Sequence, residues 1–153
     1  MQDGHGGVTV GSEISGGVRN VFAENCILDS PHLDSALRIK NNALRGGLIE
    51  NIHARNITVG EIALAALSID FNYEEGSNGA YKPICRNVSI RNLKTRKTQY
   101  ALYLRGFKNA PIENVSLTDC DFAGVEKGNL VENAKGVSLN NVQINGRPLS
   151  SIS

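Results

Sequence analysis

The chain contains no tryptophan, one methionine, four phenylalanines and four tyrosines among its 153 residues. A wide core built round large aromatic rings is excluded. A narrow core of Val, Ile, Leu and small residues is left, with sixteen glycines to make turns. Cysteine is scarce too, and its three residues cannot all pair. Neither a CxxC pair nor a Cys/His cluster occurs, which argues against a zinc site. No sign of charge dominates: at a net +1 there is no basic stripe to neutralise phosphates, and nucleic acid is not expected as a partner. No apolar run approaches the roughly 18 residues of a membrane span, so no membrane partner is expected. A basic-then-apolar signal segment is likewise missing at the start. The expectation is one domain over residues 1–153, long enough to bury a real core.

What the sequence does have is repetition. Aligned on Asn20, Asn51, Asn87, Asn114 and Asn141, five segments read GVRNVFAENC, LIENIHARNI, ICRNVSIRNL, PIENVSLTDC and VSLNNVQING. Two residues before the Asn stand Val18, Ile49, Cys85, Ile112 and Leu139; one after it, Val21, Ile52, Val88, Val115 and Val142; three after it, Ala23, Ala54, Ile90, Leu117 and Ile144. The alternation is the strand period of two, interrupted by one extra residue at the Asn. Asn suits a bend there, because its short amide tolerates left-handed backbone. Successive copies lie 31, 36, 27 and 27 residues apart, a solenoid spacing with variable loops.

A second set of short apolar strands precedes these: VTVGS from Val8, LRIK from Leu37, LSID from Leu67, LYLRG from Leu102 and, less clearly, LVEN from Leu130. Each repeat therefore carries at least two strands. Like residues of successive coils would stack about 4.8 Å apart, as neighbouring parallel strands do. The fold expected is all-β, a right-handed single-stranded parallel β-helix of about five coils.

The same columns account for the cysteines. Cys85 falls in an apolar column, and Cys26 and Cys120 share the column of Ile57 and Leu93, so all three are expected to be buried as small hydrophobes. The sequons at Asn56, Asn87 and Asn114 are by-products of the repeat. His32 and His53 are expected at the solvated surface.

Chemistry could sit on the outward face of the first strand set. With Leu37 and Ile39 inward, Arg38 and Lys40 project together. Their columns continue through Thr9, Ser68 and Tyr103, and through Gly11, Asp70 and Arg105. Two cations side by side on a rigid sheet make a seat for a carboxylate. The alternative is an ordinary solvated face with Lys40 paired to Asp70.

The segments GHGGVTVGSEISGGVRNV, ALRIK followed by RGG, and FNYEEG, in that order, resemble glycoside hydrolase family 28, the polygalacturonases. The pattern covers the whole chain. GHG followed about thirty residues later by RIK, and then by a Tyr thirty-three residues beyond the Lys, is a specific signal. The resemblance implies inverting cleavage of the α-1,4 linkage in galacturonate-containing polysaccharide, with no cofactor and no metal. It implies that His5 assists the catalytic carboxylates, that Arg38 and Lys40 bind the galacturonate carboxylate beside the scissile bond, and that Tyr73 lines the same subsite. It also implies a secreted or periplasmic parent protein.

One departure matters. The family's acid and base lie in NTD and DD motifs upstream of GHG, and neither motif occurs here; Asp3 is too close to His5 to be one of them. The chain thus resembles the C-terminal portion of a polygalacturonase, keeping the substrate-binding half of the site, and is expected to be inactive alone. Three functions stay open: a family hydrolase, a non-catalytic binder of acidic glycan, and a structural β-helix module. Since no cap is recognisable before Val8, self-association through the first coil is expected.

Overall fold

A computed structural model describes residues 4–152. Among them the structure is strand throughout, with no helix: β1 (Gly6–Val10), β2 (Val18–Leu28), β3 (Ser35–Lys40), β4 (Leu48–Glu61), β5 (Ala65–Asp70), β6 (Ile84–Arg105), β7 (Ile112–Phe122), β8 (Val125–Glu132), β9 (Ala134–Ile144) and β10 (Arg147–Pro148). The chain winds as a right-handed parallel β-helix. One ladder stacks β1, β3, β5, the C-terminal half of β6, and β8. The other stacks β2, β4, the N-terminal half of β6, β7 and β9. Only β10 runs antiparallel, against β9.

The core forms because inward residues of each coil lie directly on those of the next. One buried column reads Ile52, Val88 and Val115, with half-buried Val21 and Val137 at its ends; another reads Leu37, Leu67 and Leu102. Phe71 and Phe122 are the largest fully buried side chains. Cys85 and Cys120 sit inside as expected, and burial pushes the Cys85 thiol up to about 12. Cys26 is only half-buried. It belongs to the first coil, whose outer edge pairs with no described strand.

The second ladder bends twice per coil rather than once. Asn20, Asn51, Asn87 and Asn114 hold φ between 56° and 60°, and so, five residues later, do Asn25, Asn56, Asn92 and Asp119 at 54–58°. Each series is tied coil to coil by its side chains. The Asn51 Nδ2 donates to Asn20 Oδ1 (3.1 Å), Asn87 to Asn51 (3.2 Å) and Asn114 to Asn87 (3.3 Å). In the second series Asn56 donates to Asn25 (3.2 Å) and Asn92 to Asn56 (2.9 Å). The sequon residues Asn56, Asn87 and Asn114 are therefore committed to these ladders.

Two alignments are corrected by the register. Val142 stacks on Cys120, not Val115; Val115 takes Val137 as its neighbour. Asn141 thus closes the second series, donating to Asp119 Oδ1 at 2.8 Å, and the first series ends in Gly136 at φ 65°. Glycine reaches the left-handed region without a side chain, so an Asn pattern cannot find it. In β8, Leu130 lies opposite Tyr103, and Asn129 opposite Leu102. The register slips at Thr98 and Tyr100, and such a bulge moves the following residues to the other face. His32 is exposed as expected, whereas His53 is outward but half-buried, stacked 5.0 Å from the Phe22 ring.

Candidate carboxylate seat and its relatives

Strand β3 places the two cations. Its alternation buries Leu37 and Ile39 and turns Arg38 and Lys40 outward. The loop between β5 and β6 brings Tyr73 over them: the Lys40 Nζ lies 4.5 Å and the Arg38 Cζ 6.0 Å from the ring centroid, within cation–π range. That loop is pinned from beneath by Asn42, which is fully buried. Its Nδ2 donates to the Tyr73 carbonyl (3.1 Å) and to Glu75 Oε2 (3.2 Å), while its Oδ1 accepts from the backbone of Leu44 (3.1 Å) and Arg45 (2.9 Å). Glu74, next to Tyr73, is held at φ 53°, a conformation a non-glycine residue keeps only where its surroundings impose it. Asn42 was not singled out from the sequence, although NN directly after RIK is the visible signal.

His5 enters from just before β1. Its carbonyl accepts a hydrogen bond from Arg38 Nη1 (3.1 Å), and its Nδ1 is 3.7 Å from Asp34 Oδ2. Asp34 also approaches Arg38 Nη1 at 3.5 Å. The glycines beside His5 permit this closeness. A Cβ on Gly7 would meet the Ala36 carbonyl at 2.6 Å, and one on Gly6 would crowd the Arg38 Cβ at 3.2 Å. The structure thus brings His5, Arg38, Lys40 and Tyr73 into one cluster. Asp3 lies outside the described residues.

The pairing of Lys40 with Asp70 does not occur. Asp70 is opposite Lys40 in register, but its carboxylate faces Arg105 Nη1 (3.9 Å) and accepts from the Asn72 backbone (2.8 Å). Among the described residues no carboxylate lies within ion-pair distance of the Lys40 ammonium. Desolvation, and then the neighbouring Arg38 charge, hold the Lys40 pKa below the ordinary lysine value, with Glu74 opposing them. A half-buried cation of depressed pKa with no ion partner is arranged to receive an anion.

A groove of about 440 Å³ lies elsewhere, on the Asn-bearing ladder beside Phe22, His53 and Arg91. Its Arg55 is already paired to Glu24, which leaves Arg91 without the second adjacent cation that Arg38 has in Lys40. Among the described residues no group of His, Cys, Asp and Glu could hold a metal ion.

The model of glycosyl hydrolases family 28 matches residues 1–147. The chain belongs to glycosyl hydrolase family 28. Among family 28 relatives, a probable polygalacturonase of Vitis vinifera is 25% identical over 116 residues, 73% of this chain and 23% of that protein. The crystal structure of a hyperthermoactive exopolygalacturonase from Thermotoga maritima superposes with a TM-score of 0.87 at 34% identity, over 93% of this chain and 31% of that one. A family 28 exopolygalacturonase of Yersinia enterocolitica, 16% identical, shares the fold with a TM-score of 0.72, over 97% of this chain and 30% of that one. The chain therefore spans about a quarter to a third of the length of these relatives.

Proposed function

We propose that this chain provides the substrate-carboxylate seat of a family 28 hydrolase acting on galacturonan. The observation that carries the proposal is the convergence of Arg38 and Lys40 beneath Tyr73, with no ion partner for Lys40 among the described residues. A galacturonate carboxylate placed there meets the Arg38 fork and the Lys40 point charge, and Tyr73 flanks the ring. His5, held to Arg38 through its carbonyl, stands at the edge as an assisting group. The names of the relatives, exopolygalacturonase and probable polygalacturonase, support the choice of substrate; a secreted or periplasmic setting is part of the proposal.

Inverting hydrolysis needs a general acid and a general base roughly 6.5–9.5 Å apart. Asp34 is engaged with Arg38 and His5, and Asp70 with Arg105. We therefore expect no appreciable hydrolysis of polygalacturonate by these 153 residues alone, since each general acid–base group contributes roughly a hundred- to ten-thousand-fold. The same observation favours a second reading, a binder of acidic glycan without turnover.

Calorimetric titration with trigalacturonate tests the seat. Arg38→Ala and Lys40→Ala are each expected to weaken binding by about 1.5–3 kcal/mol, and His53→Ala to leave it unchanged. Equal weakening by all three, or none by Arg38 and Lys40, would overturn the seat. Release of reducing ends at rates typical of hydrolases would show that Asp34 or Asp70 serves as acid or base.

A further inference from the structure

The two outward columns that carry Arg38 and Lys40 continue along the solenoid. The first runs Arg38, Ser68, Tyr103; the second runs Lys40, Asp70, Arg105, Glu132. Two coils on, or about 9.6 Å at the usual strand spacing, tyrosine and cations gather again. The Tyr103 ring lies 5.5 Å from Tyr100, and Lys127 Nζ stands 5.8 Å from the Tyr100 centroid. Arg105 Nη1 donates to the Tyr103 hydroxyl at 3.4 Å. Both tyrosines are half-buried. Ser68, which separates Arg38 from Tyr103 in this column, is small and buried.

The two clusters differ in charge. Lys40 is without an ion partner among the described residues, whereas Arg105 sits between Asp70 (3.9 Å) and Glu132 (3.4 Å). Each carboxylate offsets a cation, so the second cluster has no surplus charge to offer an incoming anion. An aromatic pair still takes the apolar face of a pyranose.

Building on the carboxylate seat proposed above, we propose that Tyr100 and Tyr103 form a second sugar subsite, two residues along an extended polymer from the Arg38–Lys40 seat. This subsite reads the pyranose ring and not its charge. It accepts a methyl-esterified galacturonate where the first seat requires a free acid.

Calorimetry on the 153-residue chain with galacturonate oligomers of defined length and esterification tests this. Lengthening a dimer to a tetramer is expected to tighten binding about five-fold, the scale of one aromatic contact. A methyl ester on the unit over the tyrosines is expected to leave that affinity within about two-fold, while an ester on the unit at Arg38 and Lys40 lowers it at least ten-fold. In Tyr100→Ala/Tyr103→Ala the gain with length is expected to vanish. The ester comparison uses the unaltered chain and holds even if the double variant misfolds. Binding without gain from length, or equal loss from either ester, would overturn the second subsite alone. Absence of binding by every oligomer would overturn the first seat and the second with it.

Discussion

Lys40 is a cation kept at some cost to the fold. Its ammonium is half-buried beside a second cation, and its pKa is lowered first by desolvation and then by Arg38. The unfolded chain keeps this proton up to about 10.5, and the folded chain releases it earlier. Between those two pH values the unfolded state binds more protons, so this group's contribution to stability rises with pH and is least favourable below the folded pKa. Lys40→Met, which keeps the stem without the charge, is expected to hold or raise the melting temperature while weakening galacturonate binding as Lys40→Ala does. Binding to the unaltered chain is expected to fade on the alkaline side before the pH at which an ordinary lysine discharges; titrations across that range, with melting curves of the variant, check both outcomes. Asn87 is the structural counterpart. It donates to Asn51, accepts from Asn114 and holds φ 60°. Asn87→Ala loses two amide bonds of about 1 kcal/mol each and adds left-handed strain of about 1–2 kcal/mol. A loss of roughly 3–4 kcal/mol in urea unfolding is expected, with Asn87→Gly losing less, as Gly136 in the same column suggests.

The loop between β5 and β6 depends on one buried amide. Asn42 supplies hydrogen bonds to the Tyr73 carbonyl, to Glu75 and to its own turn, so Asn42→Ala leaves backbone groups unpaired in a buried place. A loss of about 2–4 kcal/mol is expected, and Asn42→Asp, which keeps the acceptor alone, is expected to weaken trigalacturonate binding through Tyr73 without touching the ligand. Calorimetry paired with urea melts separates these effects. Part of this level was legible in the sequence. The alternation Leu37, Arg38, Ile39, Lys40 gives the two faces of β3 directly, whereas Tyr73 was placed beside them only by the family resemblance. The second bend went unread although its signal was present, since Asn25, Asn56, Asn92 and Asp119 recur five residues after the first series. The fifth coil was not legible. There glycine replaces Asn at the first bend, and Asn141 of the second bend is flanked by the same apolar spacing. Nor was the slip in β8 visible, because a bulge leaves the apolar count of a strand unchanged. The role of Asn42 was hidden for a different cause: its partners lie 31 and 33 residues away and are mostly backbone.

Across the whole molecule, stacking makes each coil the support of the next, and the outer edges of β1 and β2 pair with no described strand. Phe22 is 73% exposed on that first coil. Edges of this kind accept further parallel strands, from the same chain or from another. The amide ladders have a bearing on how such a protein can change. Alignment of one coil on the next is fixed by Asn on Asn, whatever length of chain runs between. The partners Asn51 and Asn87 are 36 residues apart, while Asn87 and Asn114 are 27 apart, yet both bonds form. The longer circuit is the one that carries the Tyr73 loop. Surface segments can therefore lengthen, shorten or be exchanged without dislocating the frame, and a new substrate preference can arise by insertion while the spacing of the cations beneath it stays fixed.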